Sequence, residues 1–547
     1  MDSYPQQLLS SGAELHRAGK LAEAAANYQR VLQADPRNPD AWHLLGVATL
    51  QLGNPSLAAD YLQKAISISP SAPEFHRSLG RTRLVLKDLT AAVATLRKSV
   101  ELDPQSPGGW NMLASALLRS GRADEAVSAA RECLRLAPNE SHFWADFATS
   151  LWDRGDRTEA IEAYQRALEL DPQNGAAREN LAQALRWTGQ FAESIRQFQL
   201  LLSVQPKQLS AWTGLGYVQH ESGDDGGAIE TFGKAIALSP NSADAHMGLA
   251  HALLMTGQFP HGWAEYEWRW GTEPLRSVRP RLAQPMWDGH VLKGERVLLH
   301  AEQGFGDTIQ FVRFARDVAE RGGRAILVTP PELARLCASA EGLETCISRN
   351  DPIPQCQYHC PLMSLAHVLG KSRADLPGEI PYLAPPPDLI ESWRARTQTG
   401  KFNLLIVPAG NTTHVHDRRR SVPGELFESL NCPNISVFQV QPGALKGIGL
   451  IDVSPQIKDF MDTAALIKCM NLTICVDTAA AHLAGALGCP VWLLLSKVSD
   501  WRWLRNRATS DWYPTMRIFR QSSLNDWTAV IGEVTRELQQ LVPDNRS

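Results

Sequence analysis

The chain lacks a surplus of either charge. Its 547 residues hold 54 Lys and Arg against 58 Asp and Glu, a formal net charge of −4. Broad binding to a phosphate backbone needs a basic surface, so general nucleic-acid affinity is not expected. Cysteine is sparse and unpaired in pattern. The nine thiols, Cys133, Cys337, Cys346, Cys356, Cys360, Cys432, Cys469, Cys475 and Cys489, are odd in number and form no spacing framework. Reduced thiols in a cytoplasm fit that distribution better than a disulfide scaffold does. Cys356 and Cys360 stand four apart without a second pair, so no metal site is expected. The opening MDSYPQQLLSSGAELHRAGK has no basic-then-apolar leader pattern. Long apolar runs are absent too. The most apolar stretch, Cys475 to Leu495, is broken by Asp477, His482 and Pro490 and does not read as a membrane span.

What the chain does have is a beat. Pro36, Pro70, Pro104, Pro138, Pro172, Pro206 and Pro240 lie 34 residues apart. Gly19, Gly53, Gly121, Gly155, Gly189, Gly223 and Gly257 keep the same period, with Lys87 in the missing place. Thirty-four is the period of the tetratricopeptide repeat, one helical hairpin per unit. A small column (Ala24, Ala58, Ala92, Ala126, Ala160, Ser194, Ala228) suits close helix crossing. Four residues further on, Tyr28, Leu62, Leu96, Tyr164, Phe198 and Phe232 fill the layer between units. Trp42, Trp110, Trp144 and Trp212 read as packing residues of the first helix. Stacked units make a solenoid whose concave face ordinarily holds a protein or extended peptide. An asparagine ladder that would clamp peptide backbone is not read here. Its positions, Leu44, Ser78, Met112, Asp146, Asn180, Gly214 and Gly248, hold one asparagine.

An eighth unit starts at Gly257 and departs from pattern. Trp263, Tyr266, Trp268 and Trp270 then supply an apolar end cap for packing against the next domain. The domain reading is a solenoid over 1–272, a linker over 273–293, and two α/β domains over 294–390 and 391–547. In those domains short apolar runs alternate with helical segments: VLLH, AILVT, TCI, then NLLIV, ISVFQV, LTICV and VWLLL. That alternation means parallel sheets, doubly wound, with ligands beyond the strands' carboxyl ends. Helices are expected at 308–321 and 332–340, and a closing amphipathic helix at 526–541.

Three strand–loop–helix junctions carry chemical signal. HAEQGFGDTIQF holds Gly304 and Gly306, which allow close backbone approach, and Asp307, which opens a helix. As a bare helix start, Asp307 with Gln310 would be a capping box. CVDTAAAHLAGALG holds Asp477, Thr478, Ala479 and His482 at a helix N-terminus, where free N–H groups suit an anion. Capping by Asp477 with a buried histidine explains the same string. GNTTHVHDRRRSVP follows a strand with Asn411, Arg418 and Arg420, whose forked donors suit a diphosphate or simply a solvated loop.

Together with HCPLMSLAHVLG and DWRWLRNRATSDWYPTMRIFRQ, these strings resemble the GT-B glycosyltransferases related to bacterial heptosyltransferases, glycosyltransferase family 9, in their repeat-coupled form. The resemblance implies two Rossmann-like domains facing a cleft. It also implies inverting, metal-independent sugar transfer from a nucleotide-sugar donor to an acceptor, a protein recruited by the repeats or, in the alternative, a cell-surface glycan or lipid-linked sugar. Asp307 would be the base. Gly304, Gly306, Asn411, Arg418, Arg420, Asp477, Thr478, Ala479 and His482 would bind the donor, with no cofactor. Ala479 stands where the family signature has glycine, and Val407–Pro408 where relatives carry tryptophan. The competing reading is a non-catalytic protein-interaction scaffold. The tryptophans of the tail, Trp501, Trp503 and Trp512, suit either a sugar-facing wall or domain packing.

Overall fold

A computed structural model of the chain describes residues 4–542, apart from 274, 398–399, 411–416, 431, 446–449 and the side chain of 418. Two compact units result, Met1–Pro206 and Lys207–Ser547. The first is all helix, twelve helices from Tyr4–Arg17 to Phe191–Val204. The second begins with four more, from Leu209–Ser222 to Phe259–Tyr266, and continues into the α/β region.

The periodic prolines stop helices. The helix Leu21–Ala34 ends at the cap Asp35, and Pro36 follows at once. The glycine column turns the hairpin, because each glycine sits at positive φ, 75° at Gly19 and 104° at Gly155. Lys87 takes the same left-handed turn at φ 62°. A side chain there costs roughly 1 kcal/mol. Lys87→Gly is therefore expected to raise the unfolding free energy by about 0.5–1 kcal/mol, read as a shifted urea midpoint at unchanged slope.

Trp42, Trp110 and Trp144, read from the sequence as packing residues, belong to a wider column with a hydrogen-bonding role. Six residues after a repeat proline comes a flat side chain with an N–H donor: Trp42, His76, Trp110, Trp144, Arg178 and His246. Each places a nitrogen 2.7–3.0 Å from the proline carbonyl of its own repeat. The tryptophans are thus interchangeable with histidine and arginine, because the column selects a donor at fixed reach. The ladder positions are also engaged internally. His43 Nε2 and Ser78 Oγ lie 2.8 Å apart, as do Asn111 Nδ2 and Asp146 Oδ2.

In the α/β region, β1 (Arg296–His300), β2 (Arg324–Thr329), β3 (Leu343–Ser348) and β4 (Tyr358–Pro361) form a sheet in the order β3-β2-β1-β4. A second sheet holds β5 (Phe402–Val407), β6 (Ile435–Gln439), β7 (Leu450–Asp452), β8 (Leu472–Val476), β9 (Val491–Leu495) and β10 (Met516–Arg520). Its order is β10-β9-β8-β5-β6-β7. Every pairing is parallel. β4, β7 and β10 have no counterpart among the apolar runs, because their sequences (YHCP, LID, MRIFR) are too short or too polar to signal. The first sheet differs from a doubly wound layer. Val297, Leu299, Ala325 and Leu327 face the main core. On the reverse side Leu298 and Ile326 meet only Cys356 and Leu282 from coil. The β3–β4 connection, 349–357, contains no helix.

The helix expected over 308–321 starts earlier and is divided into Phe305–Phe311, a 3-10 turn Val312–Phe314, and Ala315–Glu320. The closing helix, Trp527–Leu541, does not cross back toward the first sheet. Its Trp527, Val530, Ile531, Val534 and Leu538 cover the second sheet beside Leu404, Ile406 and Trp492. That stripe at helical spacing fits the sheet's own outer face. No described helix is long and apolar enough to cross a membrane.

Candidate functional site

The junctions after β1 and β8 meet. The helix Phe305–Phe311 packs against Ala479–Ala486. Gly306 is the point of closest approach: a Cβ there would lie 2.8 Å from His482 Cδ2 and 3.6 Å from Ala479 Cα. Contact between two helix starts accounts for that glycine. Gly304 is the N-cap, and its N–H donates to Asp307 Oδ2 at 2.8 Å. Only half of a capping box is present, the Asp307 carboxylate accepting from the Gly304 amide, since glycine has no side chain to return the bond; this corrects the Asp307–Gln310 expectation. Gln310 instead accepts from Arg502 Nε at 2.6 Å.

Thr478, not Asp477, caps the second helix. Its Oγ1 is buried and has no hydrogen-bond partner among the described residues. Asp477 uses its backbone carbonyl to accept from Arg420 Nη1 at 3.1 Å. Arg420 Nε reaches Asp417 Oδ1 at 3.0 Å. Asn411 and the Arg418 side chain lie outside the described residues. His482 is buried, with Nδ1 3.0 Å from Tyr513 Oη and its ring 5.2 Å from Trp503. Gly304, Gly306, Asp307, Ala479 and His482 are thereby brought to one contact, with Asp477, Thr478 and Arg420 beside it.

The residue that organises this contact is Arg502, which sequence reasoning passed over inside a run of tryptophans. It is 7% exposed. Nη2 donates to Asp307 Oδ1 at 2.5 Å and Nη1 to Asp500 Oδ1 at 2.9 Å. Its guanidinium lies 4.2 Å from the Trp501 ring centre. The signal was present in Asp500-Trp501-Arg502-Trp503: a cation between large apolar residues is carried inside and needs anions there. Trp501, Trp503 and Trp512 are 2%, 1% and 1% exposed, which decides for packing over a sugar-facing wall.

A second buried charge group ties the repeat end cap to the first sheet. Arg269, fully buried, donates to Glu267 at 2.8 Å, Glu302 at 2.9 Å and Ser364 Oγ at 2.7 Å. Glu302 also accepts from the amides of Leu362 and Met363 at 3.1 and 3.3 Å. Nearby, Trp263 Nε1 donates to the Lys371 carbonyl at 3.0 Å and stands edge-on to Trp501. The aromatic end cap therefore packs as the sequence implies. Asp225 of the preceding repeat holds Arg505 at 2.6 Å.

Burial sets the proton affinities. It pushes Glu302 up to about 7 against the pull of Arg269. Burial and the neighbouring Asp500 carboxylate raise Asp477, whereas Arg502 overcomes burial to hold Asp500 below the usual range. Burial, then Arg502, lowers His482 to about 3. A neutral buried histidine costs stability in acid: below its unfolded value near 6.5 the unfolded chain takes a proton that the native state refuses. Between pH 7 and pH 5 the parent should lose about 2 kcal/mol more than His482→Gln, measured by denaturant unfolding at each pH.

These features define a tetratricopeptide-repeat solenoid followed by a mixed α/β region with two sheets. The family models that match describe repeats. A model of the cilia and flagella-associated protein 70 C-terminal domain matches residues 5–201, and a TPR repeat model matches residues 219–257. Protein FlbA of Caulobacter vibrioides is 26% identical over 327 residues, covering 53% of this chain and 54% of FlbA. The chain thus spans about half the length of that curated relative. Among solved structures, MamA is 22% identical with a TM-score of 0.29, covering 31% of this chain and 92% of MamA. YrrB, a TPR protein with an unusual peptide-binding site, is 21% identical with a TM-score of 0.29, covering 34% and 96%. The Cut9–Hcn1 assembly gives 19% and 0.37, covering 50% and 55%.

These matches overturn the heptosyltransferase resemblance and the inverting sugar transfer inferred from it, because the family models that match describe repeats. Local geometry accords with the correction. Asp307, cast as the base, has one carboxylate oxygen on Arg502 and the other on the Gly304 amide. Both oxygens of that carboxylate are therefore already engaged within the chain.

Proposed function

We propose that this chain is a non-catalytic protein-interaction scaffold. The repeats carry a partner protein, and the α/β region is the rigid base on which the array ends. On this reading the domains run 1–272, 273–293, 294–390 and 391–547, the last two being Rossmann-like lobes of the GT-B arrangement. The second sheet's strand order supports that assignment, since it reverses direction between β5 and β8 as a doubly wound sheet does. Gly304, Gly306, Asp307, Arg420, Asp477, Thr478, Ala479 and His482 then act as a clasp between the lobes. The engagement of Asp307 by Arg502 is the observation that carries the reading. Nine cysteines without a disulfide among the described residues favour a reducing compartment, the cytoplasm.

A photo-crosslinking residue placed at Met112 or Asn180, on the ladder face, should capture the same protein in cells, and one at Arg131 should not. Capture independent of position would overturn the scaffold reading. So would steady release of nucleoside diphosphate when the purified chain meets a panel of sugar nucleotides.

A further inference from the structure

Beyond the repeat array, the reverse face of the first sheet has the chemistry of a second docking surface. Parallel sheets are ordinarily covered by helices on both faces. Here only coil lies over Leu298 and Ile326: Leu282 from the 279–287 segment and Cys356 from the 349–357 connection. That coil leaves large apolar side chains in water, with Ile353 at 52% and Met286 at 42% exposure, and the short helix Leu275–Val278 before it adds Val278 at 61%. The same segments carry Arg279, Arg281 and Arg349, and the short helix before them carries Arg276, all exposed. None of the four makes an ion pair among the described residues. Of the acidic residues near these segments in sequence, Glu344 is engaged with Arg296 and Arg324, Asp288 with His290 and Asp351 with the Ser348 amide, while Glu273 is exposed. The segment is pinned at both ends. Arg279 lies 5.7 Å from the Trp270 ring, and the Trp287 amide donates to the His359 carbonyl at 2.8 Å. Anchored ends keep the arginines on one surface instead of a floating tail.

We propose that this face binds an acidic amphipathic helix of a partner protein, which would supply the missing layer: apolar side chains over Ile353 and Met286, carboxylates against the arginines. Three arginines in six residues are too short a track for a nucleic-acid footprint, which takes roughly 6–10 phosphate contacts. The proposal is independent of what the repeats bind.

The test uses the full chain and a fluorescein-labelled ~18-residue helix with leucine on one face and glutamate on the other. Its controls are the lysine-for-glutamate isomer and a scrambled sequence of equal charge. The acidic helix should bind. The lysine isomer should not, and the scrambled peptide should bind at least about tenfold more weakly. Replacing Arg281 and Arg349 together by alanine should weaken binding by about tenfold without moving the melting temperature, since both side chains are exposed and neither makes an ion pair among the described residues. Ile353→Asp should weaken it independently. No binding, equal binding of the scrambled peptide, or indifference to both variants would overturn the proposal. Binding of vesicles containing 30% phosphatidylserine in place of the peptide would do the same.

Discussion

Arg502→Ala is expected to lower the unfolding free energy by about 3–5 kcal/mol, the usual cost of removing one partner from a buried ion pair. Arg502 is 7% exposed and serves Asp307, Asp500 and Gln310 together. Its loss leaves two carboxylates beside Asp477, whose own proton affinity burial and Asp500 already raise. pH gives a diagnostic sign. In the parent, Arg502 holds Asp500 low, so its stabilisation is present above the ordinary aspartate value and is lost as pH falls through the native value. The variant has no such stabilisation to lose. Its deficit should therefore shrink as pH falls from about 5 to about 3 in paired denaturant titrations. A deficit that stays constant across that range would mean that Arg502 acts through packing on Trp501 alone.

Arg269→Met should be the second large effect, about 3–5 kcal/mol at pH 8. The side chain is fully buried, and Glu302 opposite it is 3% exposed. Burial already pushes Glu302 up to about 7, above its ordinary value of 4.5. Removing the cation pushes it higher, so the variant binds a proton in the native state where the parent does not. Stability of the variant then falls as pH rises past neutrality, and the gap to the parent widens from pH 6 to pH 9. Because Arg269 joins the end cap to Glu302 and Ser364, proteolysis should also speed up in the 272–286 segment. An unchanged cleavage pattern would show that Trp263 and Trp270 hold the cap without the charge group.

The repeats were legible because every unit solves one problem with local means. Proline stops a helix, glycine turns the hairpin, and an alanine admits the crossing, each within a window of 34 residues. Strands with continuous apolar runs, such as LTICV and VWLLL, were legible for the same reason, being buried on both faces. The short edge strands were not, since YHCP becomes a strand only by pairing with β1. Gly306, Asp307 and His482 could be singled out but not interpreted. A glycine that admits a ligand and a glycine that admits His482 leave the same letter in the chain.

Period, composition and local helix punctuation, by themselves, determined the solenoid and the alternation of strand and helix after it, because those depend on interactions a few residues apart. Only the tertiary structure decided that Asp307 answers to Arg502, 195 residues away, that Arg269 closes on Glu302, and that one sheet face goes without helices. A carboxylate's role is set by the charge beside it, and that neighbour is chosen by packing.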